Sequence, residues 1–295
     1  MKNIGIAINP SKDKDGTILN MVIDKLKDKF NLENIHIFNC FDIDKQEISN
    51  IDLLVVLGGD GTLLGIARNL KEDFKGAILG INIGNLGFLS SVDILDIDKA
   101  LIKLEKGSYR IVDRMLLSAH IRCGSKVEKF KALNDIVLSR GTLSRMVKFK
   151  IYVDGKMYST FKGDGLIIAT PTGSTAYSFS AGGPFIYPDL ELITITPICP
   201  HTKSMQTIVL KGDSIIEIYA ENGEEKIFLT VDGQKAIEVN QKYSVKISKY
   251  KKKVKLLLFD DYDYFKVLRS KILNNSKECD GDEIWNQKDM QKYWK

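Results

Sequence analysis

Cysteine and histidine are scarce in this chain of 295 residues. There are three histidines, and no two of the four cysteines form a C-x-x-C pair; the cysteines are Cys40, Cys123, Cys199 and Cys279. Because a structural zinc site needs several Cys or His ligands at short spacings, this composition argues against one. Widely separated thiols also suit a reducing compartment.

Long apolar runs and a strong excess of one charge are lacking as well. No stretch approaches the roughly 20 apolar residues of a membrane-spanning helix, and residues 1–10 lack the apolar core of a secretion signal. The net charge of 43 − 38 = +5 is too small to indicate nucleic acid or an anionic membrane as a partner. With 44% hydrophobic residues, the sequence predicts a soluble, cytoplasmic globular protein, whose mild positive charge is compatible with phosphorylated small molecules.

Residues 1–108 alternate between strand and helix patterns. Apolar residues two apart or in short continuous runs predict strands, and apolar residues three and four apart predict helices between them. The predicted strands are 4–8, 35–41, 51–57 and 77–83, and the predicted helices are 19–30, 63–70 and 97–104. This alternation predicts a Rossmann-like α/β domain with a parallel sheet.

Residues 109–262 show many short strand patterns and few helix patterns. Asp154-Gly155 lies between two alternating runs, which is a strong signal for a two-residue hairpin turn, and Asp232-Gly233 separates two more. We therefore predict a second, mainly β domain over 109–262. The tail, 263–295, is predicted to begin as a helix and to pack back on the first domain, and to be poorly ordered or late to dock beyond Asn274.

The segment Gly58-Gly59-Asp60-Gly61-Thr62 follows a buried strand pattern and precedes a helix pattern. In an open parallel sheet, ligands bind beyond the carboxyl ends of the strands, and glycines there let backbone N–H groups approach a phosphate. The spacing is neither that of a P-loop nor G-x-G-x-x-G. The alternative is a tight turn with Asp60 as a solvated helix cap.

Two other segments have unusual composition. From Gly163 to Pro184, an apolar strand pattern leads into a long run of small and hydroxyl residues, which suits close approach to a polar ligand; the alternative is a flexible linker. Asn134-Asp135 lies beside a strand pattern, and taken alone it predicts only a turn or a strand edge.

Taken in this order, the three segments resemble the motifs of the NAD kinase family. The similarity includes GGDG at 58–61, the Asn-Asp pair at 134–135 and the DG…TPTGSTAY segment that begins at Asp164. It extends to the NLGFL segment at 85–89 and the proline-histidine segment at 198–202, and so covers roughly residues 1–270. GGDGT is moderately specific, since lipid kinases and phosphofructokinases have related versions, whereas TPTGSTAYS-x-S-AGGP is highly specific.

The resemblance implies transfer of a terminal phosphoryl group to the 2′-hydroxyl of the adenosine ribose of NAD, which forms NADP. It implies Asp60 as the base or orienting carboxylate, ATP or polyphosphate as the donor, and Mg²⁺ or another divalent cation as a cofactor. No protein ligand for the metal is predicted. The implied donor loop consists of Gly58, Gly59, Gly61 and Thr62.

The resemblance also implies a set of NAD contacts. Asp135 stands where many members have Glu, so its contact with the ribose on the nicotinamide side would be shorter or bridged by water. For Arg145 and Lys162, the alternative is a solvated charge on a strand. The implied NAD-binding residues are Asp60, Gly61, Asn134, Asp135, Arg145, Lys162, Asp164, Thr175, Ala176, Tyr177, Ser178, Ser180 and Gln234.

Family members form dimers or tetramers, so the resemblance implies a homo-oligomer, with NAD binding assigned to the β-rich domain. Two alternatives remain open: a lipid or sugar kinase that shares the GGDGT turn, and a dinucleotide-binding sensor without catalysis. Lys251-Lys252-Lys253 is interpreted as an exposed turn and not as an anion site, and His201 as a residue with a structural hydrogen bond.

Overall fold

The computed structural model describes most of the chain, namely residues 3–30, 35–84, 87–123, 126–141, 146–202, 204–221, 226–239 and 244–272. Arg145, Asn85, Leu86 and the tail from position 273 lie outside these ranges. No helix within the described ranges is both long enough and apolar enough to cross a membrane.

The first third of the chain forms a parallel sheet with helices on both faces, which confirms the predicted α/β architecture. Its strands are β1 (Ile4–Ile8), β2 (Ile35–Asn39), β3 (Leu53–Leu57), β4 (Ala77–Asn82) and β5 (Val92–Asp93). Its helices are α1 (Thr17–Phe30), α2 (Asp60–Asn69) and α3 (Ile97–Lys106). Strand β3 is buried at every position, because alternate residues face the two helix layers: Val55 packs in the cluster that includes α1 and α3, and Val56 in the one that includes α2.

The rest of the described chain is mainly strand, as predicted. The strands are β6 (Tyr109–Arg114), β7 (Leu117–Cys123), β8 (Lys126–Ala132), β9 (Asp135–Arg140), β10 (Val147–Val153), β11 (Lys156–Gly163), β12 (Gly165–Ala169), β13 (Leu192–Ile198), β14 (Ile208–Lys211), β15 (Ile216–Glu221), β16 (Ile227–Val231), β17 (Lys235–Val239), β18 (Ser244–Lys249) and β19 (Val254–Phe259). Two helices accompany them, α4 (Tyr177–Ser180) and α5 (Tyr264–Lys271).

Two antiparallel sheets enclose the core of this second region. Their strand orders are β11-β10-β15-β18-β7-β8 and β14-β13-β12-β9-β16-β17. Inward-facing residues of both sheets form one buried cluster, which includes Phe149, Leu166 and Ile247. The predicted two-residue turns are confirmed, since Asp154 and Gly155 have φ of 50° and 75°, and Asp232 and Gly233 have φ of 50° and 64°.

Strands β6 and β19 belong to the first sheet, although residues 109–262 are predicted as the second domain. Strand β19 pairs with β4 in parallel and with β6 antiparallel, so the first sheet has the order β2-β1-β3-β4-β19-β6, with β5 beside β4. The boundaries at 108 and 262 stay a prediction, but the chain crosses between the sheets near residues 115 and 253. A short strand pattern does not encode its partner, so the sequence could not predict this pairing.

Candidate active site

Asp60 is the first residue of α2 and lies directly beyond the carboxyl end of β3. Its Oδ1 accepts hydrogen bonds from the backbone N–H of Leu89 and Ser90 and from the Ser90 hydroxyl, each at 3.1 Å. Its Oδ2 accepts one hydrogen bond from the described residues, from the N–H of Phe88 at 2.6 Å. A Cβ at Gly87 would overlap the Asp60 carboxylate, so only glycine fits there. The carboxylate is thus held by the turn after β4, and Oδ2 keeps a free acceptor position.

A cavity of about 480 Å³ lies beside the glycine turn. Two cations, Lys12 and Arg68, line it, whereas no Asp or Glu of the described residues does. The other lining residues include Gly59, Gly61 and Thr62 of the predicted donor loop. Glycines at a helix N-terminus together with cationic side chains form a typical setting for phosphate groups. We call this space the donor cavity.

Gln234 connects the second region of the chain to the donor cavity. It follows the Asp232-Gly233 turn, and its Nε2 donates to the Gly61 carbonyl at 2.6 Å. Arg68 donates in turn to the Gln234 Oε1 at 3.0 Å. The structure therefore brings Gln234 together with Gly61, although the two positions are far apart in the sequence.

Asn134 and Asp135 lie at the start of β9, beside the Asp232 carboxylate. Asp232 accepts hydrogen bonds from the backbone N–H groups of Leu133, Asn134 and Asp135, at 3.2, 2.8 and 3.2 Å. Burial raises the pKa of Asp135 to about 7, and the charge of Asp232 adds to the increase. Burial also raises the pKa of Asp232, while its N–H donors and Arg68 act in the opposite direction.

The segment with small and hydroxyl residues packs against the backbone of Asn134. Residues Thr172–Thr175 form a 3₁₀ turn, and a Cβ at Gly173 would overlap the Asn134 carbonyl, so close approach requires glycine. The Ser178 side chain is fully buried and its hydroxyl lies 3.1 Å from that of Thr196, whereas Tyr177 is 46% exposed. Thr175 and Ala176 are half-buried, and Ser180 is exposed.

Asp164 and Lys162 lie at the end of β11, and Asp164 contacts Arg140 at the opposite end of β9 from Asp135. The Asp164 Oδ1 accepts a hydrogen bond from the Arg140 Nε at 2.6 Å. The Lys162 side chain is exposed, and its carbonyl accepts the N–H of His201 at 2.8 Å. His201 thus has a structural hydrogen bond through its backbone.

A small cavity joins the turn that holds Asp60 to the hydroxyl-rich segment. Phe88 and Leu89 line one side of it, and Thr172 and Thr175 line the other. The GGDG turn, the Gln234 turn and the TPTGST segment therefore surround one region of the molecule. No contact here tests the NAD-binding assignments themselves, and these stay predictions.

Several polar residues of this region lie outside the sequence motifs described above. Asn9, Lys12 and Arg68 line the donor cavity, and Arg140 pairs with Asp164. The Asn82 side-chain amide at the end of β4 is fully buried and has no hydrogen-bond partner in the described ranges. Only topology could have indicated Asn9, since β1 and β3 are neighbours and their carboxyl ends lie together.

The described residues contain no group of three or more His, Cys, Asp or Glu that could hold a metal ion. The donor cavity fits an ion that arrives with its phosphate ligands, because Mg²⁺ in phosphate-transfer sites is bound largely by substrate phosphates and water.

Two family models match the chain. The model of the ATP-NAD kinase N-terminal domain matches residues 5–109, and that of the ATP-NAD kinase C-terminal domain matches residues 133–259. Among solved structures, a yeast NADH kinase complexed with NADH is similar in fold, with a TM-score of 0.81 and 23% identity over 94% of this chain and 88% of that one. An NAD kinase from Archaeoglobus fulgidus in complex with ATP has a TM-score of 0.70 and 26% identity over 91% of this chain and 97% of that one.

Similarity to curated proteins extends over nearly the whole chain. An NAD kinase from Clostridium beijerinckii is 75% identical over 96% of this chain and 100% of its own length. An NAD kinase from Clostridium botulinum strain Alaska E43 is 62% identical over the same shares. One from Clostridium perfringens strain 13 is 48% identical over 92% of this chain and 99% of its own. This chain therefore belongs to the NAD kinase family.

Proposed function

We propose that this protein is an NAD kinase, which transfers the terminal phosphoryl group of ATP, or of inorganic polyphosphate, to the 2′-hydroxyl of the adenosine ribose of NAD. Full-length similarity to curated NAD kinases supports the reaction. The observation that carries the assignment to this site is the anchored Asp60 carboxylate, whose Oδ2 accepts a single hydrogen bond among the described residues and whose chain neighbours Gly59 and Gly61 line the donor cavity.

Asp60 orients the acceptor in this proposal. A ribose hydroxyl that donates to Oδ2 has its oxygen lone pair available for the terminal phosphorus in the donor cavity. The new bond joins the 2′-oxygen to that phosphorus, the bridging P–O bond breaks, and the leaving phosphate keeps the electron pair. The hydroxyl proton passes to Asp60, late in a loose transition state, so the carboxylate acts on position as well as on proton transfer.

The remaining residues position the two substrates. Lys12, Arg68 and the glycine turn hold the phosphates of the donor, and Gln234 ties the second region to that turn. Asn134, Asp135, Asp164 and the segment from Thr175 to Ser180 hold NAD, as the family resemblance implies. Bound Mg²⁺ offsets the negative charge of the phosphate oxygens.

The decisive experiment incubates the protein with NAD, ATP and Mg²⁺ and measures NADP. Wild-type protein that binds NAD but forms no NADP with ATP or polyphosphate would contradict the proposal and favour a dinucleotide sensor. Asp60→Asn is expected to lower kcat by about 10²-fold or more with NAD binding retained. Asp24→Asn, at an exposed position of α1, is the matched control and keeps wild-type turnover.

The proposal includes a cytoplasmic homodimer or homotetramer, as the family resemblance implies. Light scattering on the purified protein measures the oligomeric state. A monomer at the concentrations used for the kinase assay would contradict this part while leaving the reaction itself unaffected.

A further inference from the structure

A second cavity of about 580 Å³ lies next to the C-terminal end of α2. One carboxylate, Glu72, lines it, together with Arg68, His120 and five lysines, which are Lys129, Lys131, Lys235, Lys249 and Lys251. We call this space the basic cavity. Such an excess of positive charge in a concave surface concentrates anions.

The antiparallel strands β18, β7 and β8 form part of the wall of the basic cavity. Ser118 lies opposite Ser248 on one side and Lys131 on the other, and His120 lies opposite Lys129. The alternate residues of β7 are buried in the core, so the polar ones share the outer face of the sheet. The cations are therefore held at fixed positions by a sheet.

Three cations of the basic cavity lack an acidic partner. Lys129, Lys131 and Lys235 form no ion pair with any carboxylate in the described ranges. The Lys131 Nζ donates instead to the Leu70 carbonyl at 2.6 Å, and the Lys235 Nζ lies 4.8 Å from the centre of the Phe130 ring. These neutral groups do not offset the positive charge, although the Glu72 carboxylate acts on Lys131 from a distance.

Lys131 is the most deeply placed of the three. Its Nζ lies 5.4 Å from the centre of the Tyr250 ring, and burial lowers its pKa. An anion in the cavity would favour the charged form of this lysine. The remaining cations have carboxylate partners, in the pairs Arg68–Asp232, Lys249–Glu191 and Lys251–Glu72.

The basic cavity adjoins the donor cavity along one side of α2. Arg68 and Asn69 line both cavities, and Gly65 and Gly61 line the donor cavity about one and two turns earlier in the helix. At about 1.5 Å per residue, Gly61 and Asn69 are separated by about 12 Å along the helix axis. A ligand that spans both cavities must therefore carry negative charge along an extended length.

We propose that the basic cavity is a second phosphate-binding site, which holds the distal part of an inorganic polyphosphate chain whose terminal phosphoryl group lies in the donor cavity. This rests on the proposed function, since the donor cavity must take the phosphoryl donor. The 2′-oxygen of NAD bonds to the terminal phosphorus, and the terminal P–O–P bridge breaks. The shortened polyphosphate leaves with the electron pair, and Asp60 takes the hydroxyl proton. Lys251 lines this site and is paired there with Glu72, whereas the sequence interpretation excludes an anion site at this turn.

Binding of long-chain polyphosphate to the full-length protein, measured by titration calorimetry without NAD, tests the site. The double variant Lys129→Glu/Lys235→Glu is expected to bind polyphosphate about tenfold more weakly than wild type. Lys156→Glu is the matched control, because Lys156 is exposed on β11, at the opposite edge of the same sheet, and is in no ion pair of the described ranges. It is expected to stay within about twofold.

Three binding results would overturn the proposal: unchanged affinity in the double variant, an equal loss in the control, or equal displacement of polyphosphate by single-stranded DNA of the same charge.

In the kinase assay, the double variant should lose about tenfold in kcat/KM for polyphosphate and stay within about twofold for ATP. Equal losses for both donors, or no turnover of wild type with polyphosphate, would also overturn it. If wild type forms no NADP with ATP as the donor, the proposed function is contradicted instead. The calorimetric measurement of polyphosphate binding does not depend on turnover, so it tests the basic cavity separately.

Discussion

Asp60 and Asp232 are anchored in the same way and have different surroundings. Each carboxylate accepts hydrogen bonds from three consecutive backbone N–H groups, those of 88–90 for Asp60 and those of 133–135 for Asp232. Asp232 is 6% exposed and also pairs with Arg68 at 3.4 Å. Asp60 is only partly buried and has no cationic partner in the described ranges.

In the proposed function, this difference separates a structural carboxylate from a reactive one. Both oxygens of Asp232 are occupied by protein donors, so it fixes the start of β9 and links it to α2. Asp60 is held as firmly by the backbone, but its Oδ2 has one donor and faces substrate in the proposed function. Three backbone N–H groups position a carboxylate, and the absence of a counterion leaves it available for another ligand.

The largest expected effect is on stability, from Asp232→Ala. The change leaves three N–H groups and the guanidinium of Arg68, whose side chain is 12% exposed, without their acceptor. We expect the free energy of unfolding to fall by about 3 kcal/mol or more, measured by denaturant titration. Asp213→Ala is the control, since that side chain is 68% exposed and its pair with Lys211 is solvated; its effect should stay within about 0.5 kcal/mol.

Gly87→Ala tests the Asp60 anchor without altering its carboxylate. The new Cβ overlaps Asp60, so the carboxylate or the turn must move. A displacement of about 1 Å is expected to lower kcat by about 10²-fold, with NAD binding measured separately and retained. Gly84→Ala, where the nearest atom to a new Cβ is 4.0 Å away, is the control from the same segment and should lose less than about threefold. Similar losses in both variants would contradict the importance of the anchor.

Local sequence patterns predicted where strands and turns occur better than they predicted which strands pair with each other. The continuous apolar run of β3 and the Asp154-Gly155 turn follow from side-chain type and from the backbone freedom of glycine, and both are present. The pairing of β19 with β4 depends on contacts between residues about 180 positions apart, as for Leu256 and Ile78. Nothing in either short run specifies the other, so the sequence could not assign β6 and β19 to the first sheet.

The candidate site was predictable where side chains or glycines carry the signal. Asp60 could be identified because three glycines surround it after a strand. The N–H groups that hold it, from Phe88 to Ser90, could not, because backbone donors have no residue type. Lys12 and Arg68 are ordinary surface cations in the sequence, and only the packing of β1 and α2 brings them to the donor cavity.

Asp135→Asn extends the comparison to a buried carboxylate whose pKa is raised. The folded protein keeps the Asp135 proton up to about pH 7, whereas the unfolded chain releases it near the ordinary value of 3.8. Wild type therefore loses stability as the pH rises between these values, and the asparagine variant lacks this loss. We expect the unfolding free energy of the variant, relative to wild type, to increase by about 1–2 kcal/mol from pH 5 to pH 7. A difference that stays flat between pH 5 and pH 7 would contradict the raised pKa.

Ser90→Ala is expected to have the smallest effect and separates the two kinds of donor at Asp60. It removes the hydroxyl that donates to Oδ1 at 3.1 Å and leaves all three N–H donors in place. Because the backbone array still fixes the carboxylate, kcat should fall by about tenfold at most, with KM for NAD unchanged. Ser91→Ala is the neighbouring control, since the Ser91 hydroxyl is buried without a partner in the described ranges and should be dispensable. If Ser90→Ala were as harmful as Gly87→Ala, the hydroxyl would be the main anchor of Asp60, and the parallel with Asp232, which is held by backbone N–H groups, would fail.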